Sequence, residues 1–402
     1  MTAAAPGSVT KTKGEERRAA GVAFGAHALH DGYTDLIYVM LPVWQAEFGL
    51  GYAALGLLRG LFSGTMAGLQ IPAGVLAERF GAPAVLALGT LMTGCGYLLA
   101  GVSGGLALLV VALFVGGAGS STQHPLASEL IARAFSGPRS RRALGTYNFA
   151  GDIGKMALPF AASLLLVALP WRHALLLLGA LGAAGALAIF LLMPRLAAQP
   201  PRETAATAAA VSGDGRARQR LAFPLLVSVG VLDSATRMAF LTFLPFVLTA
   251  KGASLPTIGA ALTLVFAGGA LGKLACAFLG ARIGTVATVW LTEIVTAAGI
   301  AALLPLPLAP ALVLLPVVGI ALNGTSSVLY GSVPDLVEPD RRTRAFGIFY
   351  TGTIGAGAVS PAIFGLLGDV ISVPVALIGV AAMALLTLPI ISALRPSLPS
   401  HP

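Results

Sequence analysis

The chain has 402 residues, of which 56% are hydrophobic and only 10% charged, and its mean hydropathy is +0.88. A soluble domain carries about 25% charged residues, so a chain of this make-up cannot cover a folded surface with polar groups, and a soluble enzyme is excluded. A net charge of +9 invites nucleic acid as a partner, but the placement of the bases along the chain argues against it.

A helix that crosses the hydrocarbon core needs about 20 residues, and twelve apolar segments of that size follow one another. Residues 1–19 form a polar N-terminal tail without a cleavable signal peptide, because the first apolar stretch is too long for one. Segments 1 to 6 run roughly over 20–44, 53–77, 83–102, 106–133, 143–169 and 173–194, and build a first bundle over 20–194. Residues 195–220, rich in Ala, Pro, Thr and Arg without an apolar period, read as a linker. Segments 7 to 12 run roughly over 221–249, 255–280, 285–305, 309–333, 344–367 and 372–394, a second bundle over 221–394, and 395–402 is a polar tail. The expected fold is an all-α membrane protein of twelve transmembrane helices in two six-helix bundles. The 50 Gly and 26 Pro inside these runs suit closely packed, locally broken membrane helices. Cys95 and Cys276 both lie in apolar runs, so no disulfide framework is implied.

Of the 25 Lys and Arg residues, four lie inside segments (Arg59, Lys155, Arg237 and Lys273) and only Arg172 and Lys251 fall in loops on the side opposite the termini. The remaining nineteen share a side with the termini and the linker, which the positive-inside rule makes cytoplasmic. The excess of basic charge is therefore a topology signal, and no nucleic-acid partner is expected.

Nine charged residues sit well inside segments: Asp31, Asp35, Arg59, Asp152, Lys155, Asp233, Arg237, Lys273 and Glu293. Each costs about 2.5–3.5 kcal/mol at a helix centre, so pairing, a water-filled cavity or a function must offset them. In segment 1, His27, Asp31 and Asp35 are spaced i, i+4, i+8 and form one stripe, with His30 beside it. Carboxylates and imidazoles in such a stripe can exchange protons. Asp31 and Asp35 are the leading proton carriers, supported by His27, His30 and by His124 of segment 4; interhelical hydrogen bonding alone is the alternative. Asp152 and Lys155 are i, i+3, and Asp233 and Arg237 are i, i+4, spacings that let each pair neutralise itself on its own helix. The functional alternative is a switchable pair whose base takes a substrate anion and frees the acid for a proton. Lys273 and Arg59 add cationic charge, Arg59 near the outer end of its helix where it can snorkel. Glu293 belongs to packing or to a network of segment 9. Tyr33, Tyr38 and Trp44 are expected to line a cavity or its outer rim, and Asn148 and Asn323 to offer polar contacts. The five His are scattered, with His27 and His30 plus Asp31 the only local cluster resembling a ligand set, and no nucleotide loop is present, so neither metal nor cofactor is expected.

A shift of 203 places Pro42 on Pro245, Gly56 on Gly259, Arg79 on Arg282 and Gly81 on Gly284, and a shift of 202 places Arg142 on Arg344, Gly145 on Gly347 and Pro159 on Pro361. Two homologous six-helix halves follow. The loop after segment 2, Gly74-Val-Leu-Ala-Glu78-Arg79-Phe-Gly81, resembles the G-x-L-A-D-R-x-G motif of major facilitator transporters, with Glu78 for Asp and no trailing bases; the copy after segment 8 keeps Arg282 and Gly284. The resemblance implies that Gly74, Glu78, Arg79, Gly81 and Arg282 act in gating, as a cytoplasmic latch against a helix end of the other half. Gly117-Ala-Gly119-Ser120-Ser121-Thr-Gln-His124-Pro125 and Gly151-x-x-Gly154 resemble the fosmidomycin-resistance branch of these exporters. That resemblance implies a monomeric secondary transporter of a bacterial inner membrane, with both termini cytoplasmic and membrane lipid around it. It implies proton-coupled efflux of a small anionic or amphiphilic compound; proton-coupled uptake of an organic anion is the alternative. Lys155, Asp152, Arg237, Asp233, Lys273 and Arg59 are the expected substrate contacts.

Overall fold

The computed structural model describes residues 13–135, 138–194, 215–338 and 341–398, and the described residues hold helices and no strand. The N-terminal half comprises α1 (Lys13–Phe48), α2 (Tyr52–Gly68), α3 (Gln70–Phe80), α4 (Ala82–Gly101), α5 (Leu106–Ser120), α6 (Gln123–Ala134), α7 (Pro138–Ala168) and α8 (Trp171–Leu192). The C-terminal half comprises α9 (Gly215–Ala250), α10 (Leu255–Leu303), α11 (Leu308–Leu336), α12 (Arg342–Val370) and α13 (Val373–Leu394). Helix α1 starts at Lys13, within the expected tail, and α9 starts at Gly215, within the expected linker; the rest of the linker, residues 195–214, lies outside the described residues.

Two expected segments are broken helices. α2 and α3 form one bent span with a 43° kink, where Pro72 has no N–H to give to the Gly68 carbonyl. α5 and α6 meet at Ser121 and Thr122, where Pro125 leaves the Ser121 carbonyl without its helical donor. Conversely, α10 holds two segments joined through Gly284 alone. Ten described helices or helix portions are apolar and long enough to span a membrane, and the bent pair makes eleven. The twelfth span is α1, long enough at 36 residues but with His27, His30, Asp31 and Asp35 in its middle.

The duplication is written in the backbone. Among the described residues, the glycines with positive φ are Gly49, Gly81, Gly252 and Gly284, two pairs separated by the same 203 positions found in the sequence. Each ends a helix in a conformation that L side chains avoid.

The core shows which end of the molecule is closed. One buried cluster, from Tyr33 to Trp44 of α1 across to Phe240 to Leu248 of α9, runs continuously through both halves at the end away from the termini. At the termini end it gives way to two separate clusters, one around Leu126, Leu130 and Tyr147, the other around Leu226, Leu329 and Phe349. The halves meet along α2 with α12 and along α7 with α10. Gly56 and Gly60 lie so near the Pro361 and Ala358 carbonyls, and Gly259 so near Ser163, that a Cβ on any of them would collide. At the start of α2, the backbone N–H groups of Tyr52 and Ala53 donate to the Asp369 carboxylate of α12, at 2.6 and 2.9 Å. Towards the termini the seams part: a Cβ on Gly68, Gly74, Gly145 or Gly347 would meet nothing.

Candidate functional site

The Gly151-x-x-Gly154 spacing brings α7 onto α1. A Cβ on Gly151 would collide with the Asp31 carboxylate and the His27 ring, and one on Gly154 with the Ala28 carbonyl. The close approach delivers Lys155 and Tyr147 of α7 to the α1 stripe. Asp31 is the hub: His30 Nδ1 lies 2.9 Å from Oδ1, while His27 Nε2 at 3.6 Å and Lys155 Nζ at 3.4 Å face Oδ2. The His27 ring stacks on Tyr147 with centroids 3.9 Å apart, and the His124 ring stands edge-on to His27 and His30 at 5.5 and 4.9 Å. His27 Nδ1 and His30 Nε2 are buried without a partner. All five groups expected to carry protons therefore sit on or near one helix face, four of them as a contact cluster. The fifth, Asp35, is buried, and Lys155 and Arg59 are the cations that act on it. His27, His30 and Asp31 bring their donor atoms within 4.8 Å of one another, but the Lys155 ammonium on Asp31 opposes a metal ion there.

The intrahelical pairs expected from spacing are not the pairs that form. Lys155 turns from Asp152 to Asp31 on α1, and Asp152 instead accepts from Lys273 of α10 at 2.6 Å, an ion pair that bridges the two halves. Arg237 donates to Ser326 Oγ of α11 at 3.3 Å, and no ion pair joins it to the buried Asp233 among the described residues. In each case a residue on another helix lies nearer the side-chain tip than the one a turn away.

Arg59 does not snorkel. It is 1% exposed, donates to the Tyr38 hydroxyl at 3.2 Å and to Ser63, and packs 4.8 Å over the Tyr38 ring. Tyr38 in turn reaches Met238 of α9 at 3.2 Å, so Arg59 and Tyr38 belong to the closed seam between halves. Tyr33 borders a small internal void together with His30; its hydroxyl donates to the Leu178 carbonyl of α8, and its ring stacks on Tyr97 of α4. Asn323 donates back to the Gly319 carbonyl of its own helix and packs on Gly269. Asn148 is exposed. Glu78, Arg79 and Arg282 are exposed as well, and α3 packs on α4 and α6 of its own half. The expected latch against the other half is therefore undone in this conformation, as the open termini end requires. Tyr147 at the site and Asp369 at the closed end are contributors that spacing did not single out.

Side chains with access to water near the middle include His124, Lys155, about 30% exposed, Lys273, about 37% exposed, and the half-buried Arg237. A polar centre between two packed halves, closed at one end and open at the other, is the arrangement of an alternating-access carrier. The family model of the Major Facilitator Superfamily matches residues 23–232 and 226–402. The chain belongs to that superfamily. It is a multi-pass membrane transporter and not an enzyme. The "Probable sulfoacetate transporter SauU" of Cupriavidus necator is 28% identical over 364 residues, covering 82% of each chain. The fosmidomycin resistance protein of Escherichia coli K12 is 28% identical over 141 residues, about a third of either chain. Among solved structures, a bacterial homologue of the human lysosomal transporter Spinster, inward-facing and unoccupied, superposes with a TM-score of 0.80 at 16% identity, covering 97% of this chain and all of that one. The human organic anion transporter MFSD10 gives 0.66 at 17% identity, covering 93% and 99%. At these identities the structural matches speak for the fold.

Proposed function

We propose that this superfamily member carries a small organic anion together with protons, by alternating access, across a bacterial inner membrane with its termini and linker in the cytoplasm. The observation that carries the reading is the pairing of both water-reached lysines with buried carboxylates of other helices, Lys155 with Asp31 at 3.4 Å and Lys273 with Asp152 at 2.6 Å. An anion that takes either ammonium leaves a carboxylate behind in a poorly solvated place, where an unpaired charge costs several kcal/mol. The least costly outcome is that the carboxylate takes a proton. Anion and proton then bind together, and by linkage each raises the affinity for the other. That sign favours symport over the antiport that the exporter resemblance implies. A relative matched over 82% of each chain and named as a probable transporter of sulfoacetate, a dianionic organosulfonate, supports the substrate class.

Orientation rests on the nineteen-to-two distribution of loop bases, which makes the conformation cytoplasm-open. Proton-coupled efflux is the second reading, supported by the Gly117 to Pro125 motif and the partial match to the fosmidomycin resistance protein. Proteoliposomes containing a pH dye separate the two. With sulfoacetate as probe, inward movement of the anion acidifies the lumen in symport; alkalinisation of the lumen on anion entry identifies antiport and defeats the symport reading.

A further inference from the structure

At the termini end of the N-terminal half, α1 and α7 border a groove of about 460 Å³. Three exposed arginines stand around it, Arg17 of α1 and Arg139 and Arg142 of α7, and no acid borders it among the described residues. Beneath them lie the half-buried rings of Phe24 and of Phe135, which follows α6. Gly21 keeps the groove open, since even a Cβ there would meet nothing within 4 Å. Arg139 is held in place: it donates to Glu16 of α1, and its guanidinium lies 5.5 Å from the centre of the Phe135 ring.

Arginines at this end are ordinary by the positive-inside rule. What sets these apart is the surface that continues from them. Arg142 and Thr146 begin a stripe that runs on along α7, at helical spacing, through Phe149, Ile153, Phe160 and Leu164. Those four apolar side chains are between 37% and 53% exposed. The stripe lies away from Gly151 and Lys155, which meet α1, and from Asp152, which meets α10. It is therefore turned to the hydrocarbon of the membrane. A basic groove at the membrane surface that opens onto an apolar stripe has the complement of an anionic phospholipid: guanidinium groups match phosphate oxygens, and the stripe matches an acyl chain. A free anion leaves the stripe unused, and a zwitterionic lipid brings no net charge to the arginines. Basic pockets between transmembrane helices recognise anionic head groups in this way.

We propose that this groove binds one anionic phospholipid, with its phosphate on Arg17 and Arg142 and an acyl chain along Phe149 to Leu164 of α7. The site is independent of the substrate and of its coupling to protons. The lipid bridges α1 and α7, the two helices whose contact sets Lys155 against Asp31, and it acts there alongside the Arg139 to Glu16 pair.

Native mass spectrometry of the full-length protein tests the site, with equal amounts of phosphatidylglycerol and phosphatidylcholine of the same acyl chains. One phosphatidylglycerol should be retained in preference to phosphatidylcholine; equal retention of the two overturns the proposal and needs no variant. Arg17→Gln and Arg142→Gln should each lower the affinity for phosphatidylglycerol about fivefold. Arg395→Gln, which removes an exposed arginine after α13, outside the groove, should leave that affinity unchanged. A preference that survives the double variant at Arg17 and Arg142 puts the lipid elsewhere and overturns the assignment. Phosphatidylglycerol with a photoactivatable acyl chain reports on the native protein without any substitution. It should label the α7 peptide between Phe149 and Leu164, and labelling confined to other helices overturns the proposal. Displacement of the lipid by inorganic phosphate alone would show an anion site indifferent to acyl chains, and would overturn it as well.

Discussion

The two halves of this transporter fold alike and bury opposite chemistry at matching positions. On α1, His30 leans on an Asp31 carboxylate that is otherwise satisfied by His27 and Lys155. On α9, the position equivalent to His30 is the buried acid Asp233, and the position equivalent to Thr90 is a second buried acid, Glu293. A duplicated scaffold decides where polar groups can be buried near the middle of the membrane. The residue placed there decides what satisfies them, and in the first half it is a neighbouring cation. A cation-satisfied carboxylate takes a proton only when its cation is drawn away, which makes the first half the natural place for competition between substrate and carboxylate. Asp152 with Lys273 extends that competition across the boundary between halves.

The comparison breaks most severely at Asp31. Asp31→Asn keeps the side-chain shape but cannot ionise, so gradient-driven accumulation should be abolished while some anion binding remains; uphill transport with the native pH dependence would refute the assignment. The bases come next. Lys155→Ala or Lys273→Ala should weaken anion binding by roughly 1.5–3 kcal/mol, the scale of a charge-assisted hydrogen bond, measurable by titration calorimetry with sulfoacetate. Intact affinity after removal of both would make these pairs structural and remove the anionic substrate with them.

Smaller effects belong to the ends of the molecule. Asp369→Asn keeps the size of the group that caps α2 but weakens its hold on the Tyr52 and Ala53 N–H groups. The closed end should lose about 0.5–1.5 kcal/mol, visible as longer distances between spin labels on the two halves at that end. An unchanged distance distribution would show that the glycine seam of Gly56 and Gly60 holds the end by itself. Glu78→Gln and Arg79→Gln should be smallest in the conformation described, where both side chains are exposed, and should appear as slower turnover with little change in equilibrium binding. Selective loss of affinity would place the loop near substrate and contradict a gating role.

The fold was legible in the sequence because duplication leaves marks at residues with one permissible backbone. Gly81 and Gly284 stand 203 apart and both adopt positive φ. The α1 stripe was legible for a similar reason, since i, i+4 spacing fixes a shared face whatever packs against it. Partners on other helices were not. Asp152 and Lys155 satisfy the rule for an intrahelical pair, yet tertiary packing sets a nearer acid and a nearer base beside each. Arg59 was misread because its sequence position says nothing about Tyr38 lying over it. Glu293 looked isolated on its own helix, although the shift that aligned the loops also aligns it with Thr90 in the pocket around His30. Asp369 acts through backbone N–H groups of a distant helix end, a contact with no sequence pattern of its own.

The claim on which all of this turns is that anion and proton bind together. Titration calorimetry of the purified protein with sulfoacetate, in buffers of different ionisation enthalpy at one pH, counts the protons exchanged on binding. Proton uptake that fades towards the alkaline side and falls in Asp31→Asn is the predicted result. Proton release on binding would mean that substrate and proton compete, and would contradict the account.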